Sequence, residues 1–240
     1  MFLGEARTPP GMRIYAIGDV HGCGELLAQV HGRVAEDLRR RPAGEHRIVH
    51  VGDYVDRGPD SAGVVERVLR LREADAGVAC LSGNHEDTLL QFLDDPASAA
   101  ATFLTFGGVA TMASYGVLAR EEYDAGGLMH LRDRFVAALP AEHLAFFRGL
   151  PLTARIGDFL FCHAGIRPGV PLDRQTPEDL RWIREEFLDD RRDHGVVVVH
   201  GHTPADAPEV RRNRINIDTG AFFSGRLTCV VLEETAYRFL

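Results

Sequence analysis

Arg13-Ile14-Tyr15-Ala16-Ile17-Gly18-Asp19-Val20-His21-Gly22 is a short apolar run that stops at a glycine and opens into an aspartate and a histidine. Consecutive apolar side chains read as a strand buried on both faces, and the glycine marks its end. The pattern recurs. Arg47-Ile48-Val49-His50-Val51-Gly52 runs into Asp53, and Val78-Ala79-Cys80-Leu81 runs through Ser82-Gly83 into Asn84-His85-Glu86. Between these runs, Leu26 to Leu38 and Ser61 to Leu71 carry helical spacing. Strand alternating with helix is the mark of right-handed βαβ units on a mostly parallel sheet.

Outward from this region, a helical stretch is expected from about Asp87 to Leu150, interrupted at Gly107-Gly108 and again near Gly126-Gly127. Strands return at Thr153 to Cys162, Val196 to Val199, Ile215 to Ile217 and Leu227 to Leu232. Met1 to Gly11 reads as a loose leader, and residues 12–240 as one domain carrying the helical insertion at about 87–150. In open α/β sheets the loops at the carboxyl ends of strands converge in one crevice. Asp19, Asp53 and Asn84 should therefore meet, and His163 and His202, each just after an apolar strand, occupy the same kind of position.

Composition narrows what such a crevice can do. With 45% hydrophobic and 26% charged residues the chain is of the ordinary globular kind, and its net charge of -8 argues against a general nucleic-acid binder. All 27 basic residues are arginine. A Walker A loop and Schiff-base chemistry both need a lysine and are excluded, whereas arginine remains a planar fork for phosphate oxygens. Cys23, Cys80, Cys162 and Cys229 are spread out with no CxxC pair, so reduced thiols are expected. No apolar run reaches the length of a signal peptide or membrane span, and a cytoplasmic protein with no membrane partner is expected.

Asp19, His21, Asp53, Asn84, His163 and His202 form a mixed oxygen and nitrogen donor set, which suits Mn, Fe or Zn better than Ca or Mg. Six donors are too many for one catalytic ion with an open position and about right for two ions sharing a carboxylate. Such a pair, roughly 3.5 to 4 Å apart, activates a water and clamps phosphoryl oxygens, and phosphate ester hydrolysis is its natural use.

Gly18-Asp19-Val20-His21-Gly22, Gly52-Asp53-Tyr54-Val55-Asp56-Arg57-Gly58, Gly83-Asn84-His85-Glu86, His163 and Gly201-His202-Thr203 resemble the ordered motifs of the calcineurin-like metallophosphoesterases. More narrowly they resemble the phosphoprotein phosphatase type. The resemblance implies an α/β fold, a two-sheet β-sandwich flanked by helices with a dinuclear metal site at the strand ends. It implies that Asp19 and His21 hold a first ion, that Asp53 bridges, and that Asn84, His163 and His202 hold the second. Where the wider superfamily often ends in GHxH, Pro204 follows Thr203 here, so the first ion has fewer protein ligands. Two divalent transition-metal ions are the expected cofactor, manganese first, with iron or zinc as the alternatives.

Arg57 lies four residues beyond Asp53 and reads as a phosphate clamp. A second clamp is expected between the late histidines, and Trp182-Ile183-Arg184-Glu185-Glu186-Phe187 resembles the WIRxxF element of bacterial relatives. That gives Arg184, with Arg181 as its competitor. His85, beside Asn84, is the expected general acid, with Asp56 orienting it and holding its proton. His200 reads as structural, with support of a ligand as its alternative, Cys23 packs as a small apolar residue, and Asp218 either orients a ligand imidazole or forms a turn. Arg39-Arg40-Arg41 reads as a solvated helix end.

For substrate, phosphoserine or phosphothreonine in proteins is the leading expectation. The alternative is a nucleotide phosphoanhydride, as in symmetrical diadenosine tetraphosphatases, which Asn216-Ile217-Asp218-Thr219-Gly220 and Gly225-Arg226-Leu227-Thr228 also resemble. The partner is thus a phosphorylated protein or a small phosphorylated molecule. A binding protein that has lost catalysis would lack ligands, and this chain lacks none.

Overall fold

The computed structural model describes residues 1–119 and 124–240. Its described strands form two five-stranded sheets, in the orders β10-β9-β1-β2-β3 and β4-β5-β6-β8-β7. The first comprises β1 (Met12–Ile17), β2 (Glu45–His50), β3 (Val78–Cys80), β9 (Cys229–Glu233) and β10 (Ala236–Phe239). The second comprises β4 (Thr153–Ile156), β5 (Phe159–Cys162), β6 (Val197–His200), β7 (Glu209–Val210) and β8 (Arg214–Asn216). β1, β2 and β3 run parallel, as do β5, β6 and β8.

Period-two alternation between two covered faces explains why the central strands run almost continuously apolar. Ile14 and Ala16 of β1, Phe159 and Phe161 of β5, Val197 and Val199 of β6, and Val230 and Leu232 of β9 meet between the sheets. Their neighbours Tyr15, Ile17, Cys229 and Val231 face a helical layer instead, and Leu160, Cys162 and Val198 face another. A strand covered on both faces has no polar side to show. The outcome is the expected two-sheet sandwich between helices.

The helices on the first sheet are α1 (Gly24–Arg40), α2 (Ser61–Ala74), α3 (Asn84–Asp94), α4 (Pro96–Phe103), α5 (Val109–Ser114), α6 (Ala125–Ala138) and α7 (Ala141–Arg148). Against the second sheet lie the short α8 (Pro177–Trp182) and α9 (Glu185–Leu188), and α10 (Ala221–Ser224) follows β8. α3 begins three residues before the expected start, because the Glu86 carboxylate turns back to accept the Gly83 N–H at 2.9 Å. Asn84 and His85 are thereby placed in a first helical turn. The break at Gly107 is present, with φ of 109° inside a π-turn at Leu104–Gly108. The interruption expected near Gly126-Gly127 lies just ahead of them: α5 ends at Ser114 and α6 begins at Ala125, with both glycines in its first turn and its start capped by Asp124 accepting from Gly127 N–H at 2.7 Å. Residues 120–123 of the helical stretch lie outside the described residues.

Pro96–Ser114 is long and apolar enough by composition to cross a membrane. It is broken at Gly107, and Phe103 and Met112 are buried in the helical core, where Phe103 stacks on Phe92 at 4.7 Å. The leader is docked, contrary to the expectation of a loose one. Leu3 N–H donates to Arg212 O at 2.6 Å, Thr8 N–H to Glu234 O at 3.1 Å, and Ala6 is buried between the sheets. Glycine and proline content made it look unanchored, but backbone bonds to distant loops leave no local signature. β7 and β10, each a short or half-polar strand at the edge of its own sheet, were also unread.

Candidate active site

Five strand ends deliver polar side chains to one place, and Asp19, His21, Asp53, Asn84, His163 and His202 are all buried there. Asp53 is central. Its Oδ2 lies 3.4 Å from His21 Nε2, and its Oδ1 lies 3.3 Å from His163 Nε2, so one carboxylate spans two groups of donors. Asn84 Oδ1 is 2.8 Å from His163 Nε2 and 2.9 Å from His202 Nδ1. Asp19 joins the set by accepting the His202 backbone N–H at 3.0 Å.

The protonation of these groups follows from their outer partners. His21 Nδ1–H donates to Val55 O at 2.8 Å and His163 Nδ1–H to Val51 O at 3.1 Å; a carbonyl can only accept, so both Nε2 lone pairs face the centre. Burial holds the His21 ring down to about 3, and burial, with the Arg184 charge nearby, holds His202 at about 2, so both are neutral. Asp19 Oδ1 and His202 Nε2 are buried without a hydrogen-bond partner. Burial, followed by the charges of Asp218 and Asp53, pushes the Asp19 carboxyl well above the usual carboxylate range. Lone pairs set against lone pairs around buried carboxylates fit divalent metal ions.

Backbone conformation marks the same place. Among the described residues, six non-glycine positions have positive φ, and five of them are His21 (44°), Asp53 (54°), Asp56 (70°), Arg57 (69°) and His202 (67°). Each costs on the order of 1–3 kcal/mol and persists only where surrounding structure over-determines it. Glu86 supplies much of that restraint. Its buried carboxylate accepts the backbone N–H groups of Asp53 at 2.9 Å, Tyr54 at 2.7 Å, Gly83 at 2.9 Å and Val55 at 3.4 Å. Burial, then the Asp53 charge, pushes the Glu86 carboxyl up to about 7; ions on Asp53 would remove the second cause.

His85 Nδ1 is 2.6 Å from Asp56 Oδ2, and its Nε2 faces the centre, 3.8 Å from Asp53 Oδ2. Burial opposes a charged ring here, but Asp53 and the Asp56 hydrogen bond outweigh it and raise its pKa, while burial raises that of Asp56. The two groups are arranged to share one proton. Thr111 fixes Asp56 from the far side: its hydroxyl donates to Asp56 Oδ1 at 2.5 Å and accepts the Asp56 N–H at 2.7 Å. The glycine at 107 lets that segment approach, since a Cβ there would lie 2.5 Å from Arg57 N.

Arg57 Nη1 donates to the inward lone pair of His21 Nε2 at 3.1 Å, so its guanidinium reaches the centre. Arg184 donates from Nη1 to Thr203 Oγ1 at 3.3 Å, next to His202, and is otherwise exposed. Arg181 is ion-paired with Asp87 on α3, so of the two candidates Arg184 is the one beside His202. The His200 ring packs against Phe187 at 5.2 Å, with Nδ1 on Gly201 O and Nε2 facing Arg214 Nη1 at 3.5 Å, so its ring nitrogens are engaged outside the donor set. Asp218 forms a turn, accepting Gly220 N–H at 2.8 Å. Cys23 is half-buried with Sγ 3.5 Å from His21 O. Arg39 and Arg40 both pair with Glu36 at the solvated end of α1.

The sequence reading assigned no role to Glu86, although its place three residues after Gly83 was a capping signal. Thr111 lies 55 residues from Asp56 and only the fold pairs them.

A family description of the calcineurin-like phosphoesterases matches residues 12–225. The chain belongs to the calcineurin-like phosphoesterases. Hydrolases of this family work with a dinuclear divalent metal centre, and the converging donors are of the kind it needs. The chain is 30% identical to the bis(5'-nucleosyl)-tetraphosphatase PrpE [asymmetrical] of Anoxybacillus flavithermus, over 91% of this chain and 89% of that one. It is also 30% identical to the protein of the same name from Oceanobacillus iheyensis, over 95% and 89%. In fold it resembles a solved structure assigned to the diadenosine tetraphosphatases, with a TM-score of 0.67 at 22% identity over 98% of this chain and 97% of that one. A cold-active protein tyrosine phosphatase shares the fold at a TM-score of 0.59 and 16% identity, covering 98% and 81%.

Proposed function

We propose that this phosphoesterase hydrolyses a phosphoanhydride bond of a dinucleoside tetraphosphate, cutting it asymmetrically, with manganese as its ion. The observation that carries the reading is the likeness to the two tetraphosphatases, which extends across about nine tenths of both chains at 30% identity. The nucleotide alternative thereby displaces phosphoserine and phosphothreonine in proteins as the favoured substrate class, and the asymmetrical form displaces the symmetrical one. A donor set of carboxylate, amide and imidazole without thiolate suits manganese.

Asp19, His21 and Asp53 would hold one ion, and Asp53, Asn84, His163 and His202 the other. When bound, the pair supplies Lewis acidity and an activated water. This chain's own side chains do the rest. Arg57 and Arg184 each offer a planar fork to phosphoryl oxygens, holding the charge that builds as the P–O bond breaks. His85 carries a proton on Nε2 toward the departing oxygen while Asp56 holds the opposite nitrogen, and Thr111 keeps Asp56 in place.

The test is a comparison of kcat/KM with manganese on diadenosine tetraphosphate, a phosphoserine peptide and para-nitrophenyl phosphate. Preference for the dinucleotide supports the reading. Preference for the phosphopeptide overturns it.

A further inference from the structure

Two adjacent phenylalanines stand at the rim of this site with no part in the chemistry above. They sit on α10, a single turn bounded by Gly220 and Gly225, both in the left-handed region at φ 65° and 70°. Phe222 is 41% exposed and Phe223 63% exposed, so neither ring earns its place by burial. Arg57 Cζ lies over the Phe222 ring, 5.0 Å from its centroid, and the His21 ring meets it edge-on at 5.7 Å. Phe223 then stands edge-to-face on Phe222 at 5.0 Å. Its ring folds over Gly220, where a Cβ would lie 2.0 Å from Phe223 Cζ, so only glycine admits that placement.

The order outward from the centre is therefore phosphate clamp, a first ring, and a second, more open ring. A nucleotide has the same order: phosphate, sugar, base. One face of Phe222 is taken by Arg57, which leaves Phe223 as the ring free to accept a planar partner. We propose that Phe223, backed by Phe222, is the stacking platform for a nucleobase of the substrate whose phosphate is held at Arg57. The inference rests on the nucleotide reading of the site and adds where the base lies. Stacking on phenylalanine tolerates any base, so the platform selects nucleotides over base-free phosphates without discriminating adenine from guanine. The other aromatic wall, Phe106 against His85 at 5.9 Å and Trp182 against His202 at 6.1 Å, is the competing location.

The Phe223 ring rests on Phe222 and Gly220, neither of them a metal-site residue, and its exposure makes its removal harmless to the core, which permits a clean test. Manganese-loaded wild type, Phe223→Ala, Phe223→Trp and Trp182→Ala are compared for KM and kcat on diadenosine tetraphosphate and for the inhibition constant of inorganic tripolyphosphate, which has no base. Phe223→Ala is expected to raise the dinucleotide KM about tenfold, as for loss of one base–aromatic stack. Its kcat and its tripolyphosphate inhibition constant stay at the wild-type values, and Phe223→Trp restores the KM. An unchanged KM, or an equal weakening of dinucleotide and tripolyphosphate, overturns the platform. So does a selective loss in Trp182→Ala with Phe223→Ala silent. Wild type that fails to cleave the dinucleotide overturns the nucleotide reading itself, whereas cleavage indifferent to Phe223 overturns the platform alone.

Discussion

Glu86→Gln removes the group that holds the metal loop in its strained shape. The Glu86 carboxylate serves two backbone N–H groups with each oxygen: Oε1 accepts from Tyr54 and Val55, and Oε2 from Asp53 and Gly83. Glutamine keeps one oxygen and puts an NH₂ in the place of the other, so in either orientation two N–H groups face a donor. The less damaging orientation gives up the 2.7 Å bond from Tyr54 and the long 3.4 Å bond from Val55. At 1.5–3 kcal/mol for a hydrogen bond to a charged group, with little added for the long one, the cost is about 3 kcal/mol. Asp53, held at φ of 54°, relaxes with the loop and takes its carboxylate away from His21 and His163. Urea unfolding reads the stability, and metal analysis of the dialysed protein reads the ions. The expected result is a lower midpoint at unchanged slope, with less than two ions per chain. Wild-type midpoint together with full metal content would refute the role given to Glu86.

Other outcomes follow from the same geometry. Asp53→Asn should lower the content of both ions, since its two oxygens face different donor groups; metal analysis showing loss of one ion alone would contradict the bridge. His85→Asn should keep both ions and slow substrates with poorly acidic leaving groups by about 10²–10⁴, while sparing para-nitrophenyl phosphate, as steady-state rates on both will show. Thr111→Val, which removes the hydroxyl on Asp56, should give a milder form of that pattern with normal metal content. Burial works against the charge on Asp37, but Tyr15 Oη at 2.7 Å and the guanidinium of Arg238 hold its pKa below the usual value. Its contribution to stability is therefore present above the ordinary carboxylate pKa of about 4 and lost as pH falls through the lowered one. Asp37→Asn should flatten the acid limb of a stability–pH curve.

The sandwich could be read from sequence because its central strands are buried on both faces and each ends in a small residue followed by polar ones, as in Ile17-Gly18-Asp19 and Val51-Gly52-Asp53. Topology then brought residues far apart in the chain to one crevice, since parallel strands present the same end. The docked leader escaped notice because its anchors, Arg212 O and Glu234 O, are backbone groups on remote loops. The second interruption was legible only to within a few residues, because Asp124 caps α6 and draws Gly126 and Gly127 into its first turn. Thr111 was invisible for a different reason. Nothing in a threonine on an apolar helix announces a buried aspartate 55 residues earlier, and its role depends on the close approach at Gly107. Arg184 and Arg181 were separable only by partners, Thr203 for one and Asp87 for the other.

The central claim is that converging buried donors, two arginines and a histidine–aspartate pair serve cleavage of a dinucleoside tetraphosphate. Its most direct test is the identity of the products when the manganese-loaded protein is given diadenosine tetraphosphate beside an equal concentration of a phosphoserine peptide, resolved by anion-exchange chromatography. The account expects AMP and ATP in equal amounts, with the peptide still phosphorylated. Two equivalents of ADP would contradict the asymmetrical cut, and dephosphorylated peptide beside intact dinucleotide would contradict the account as a whole.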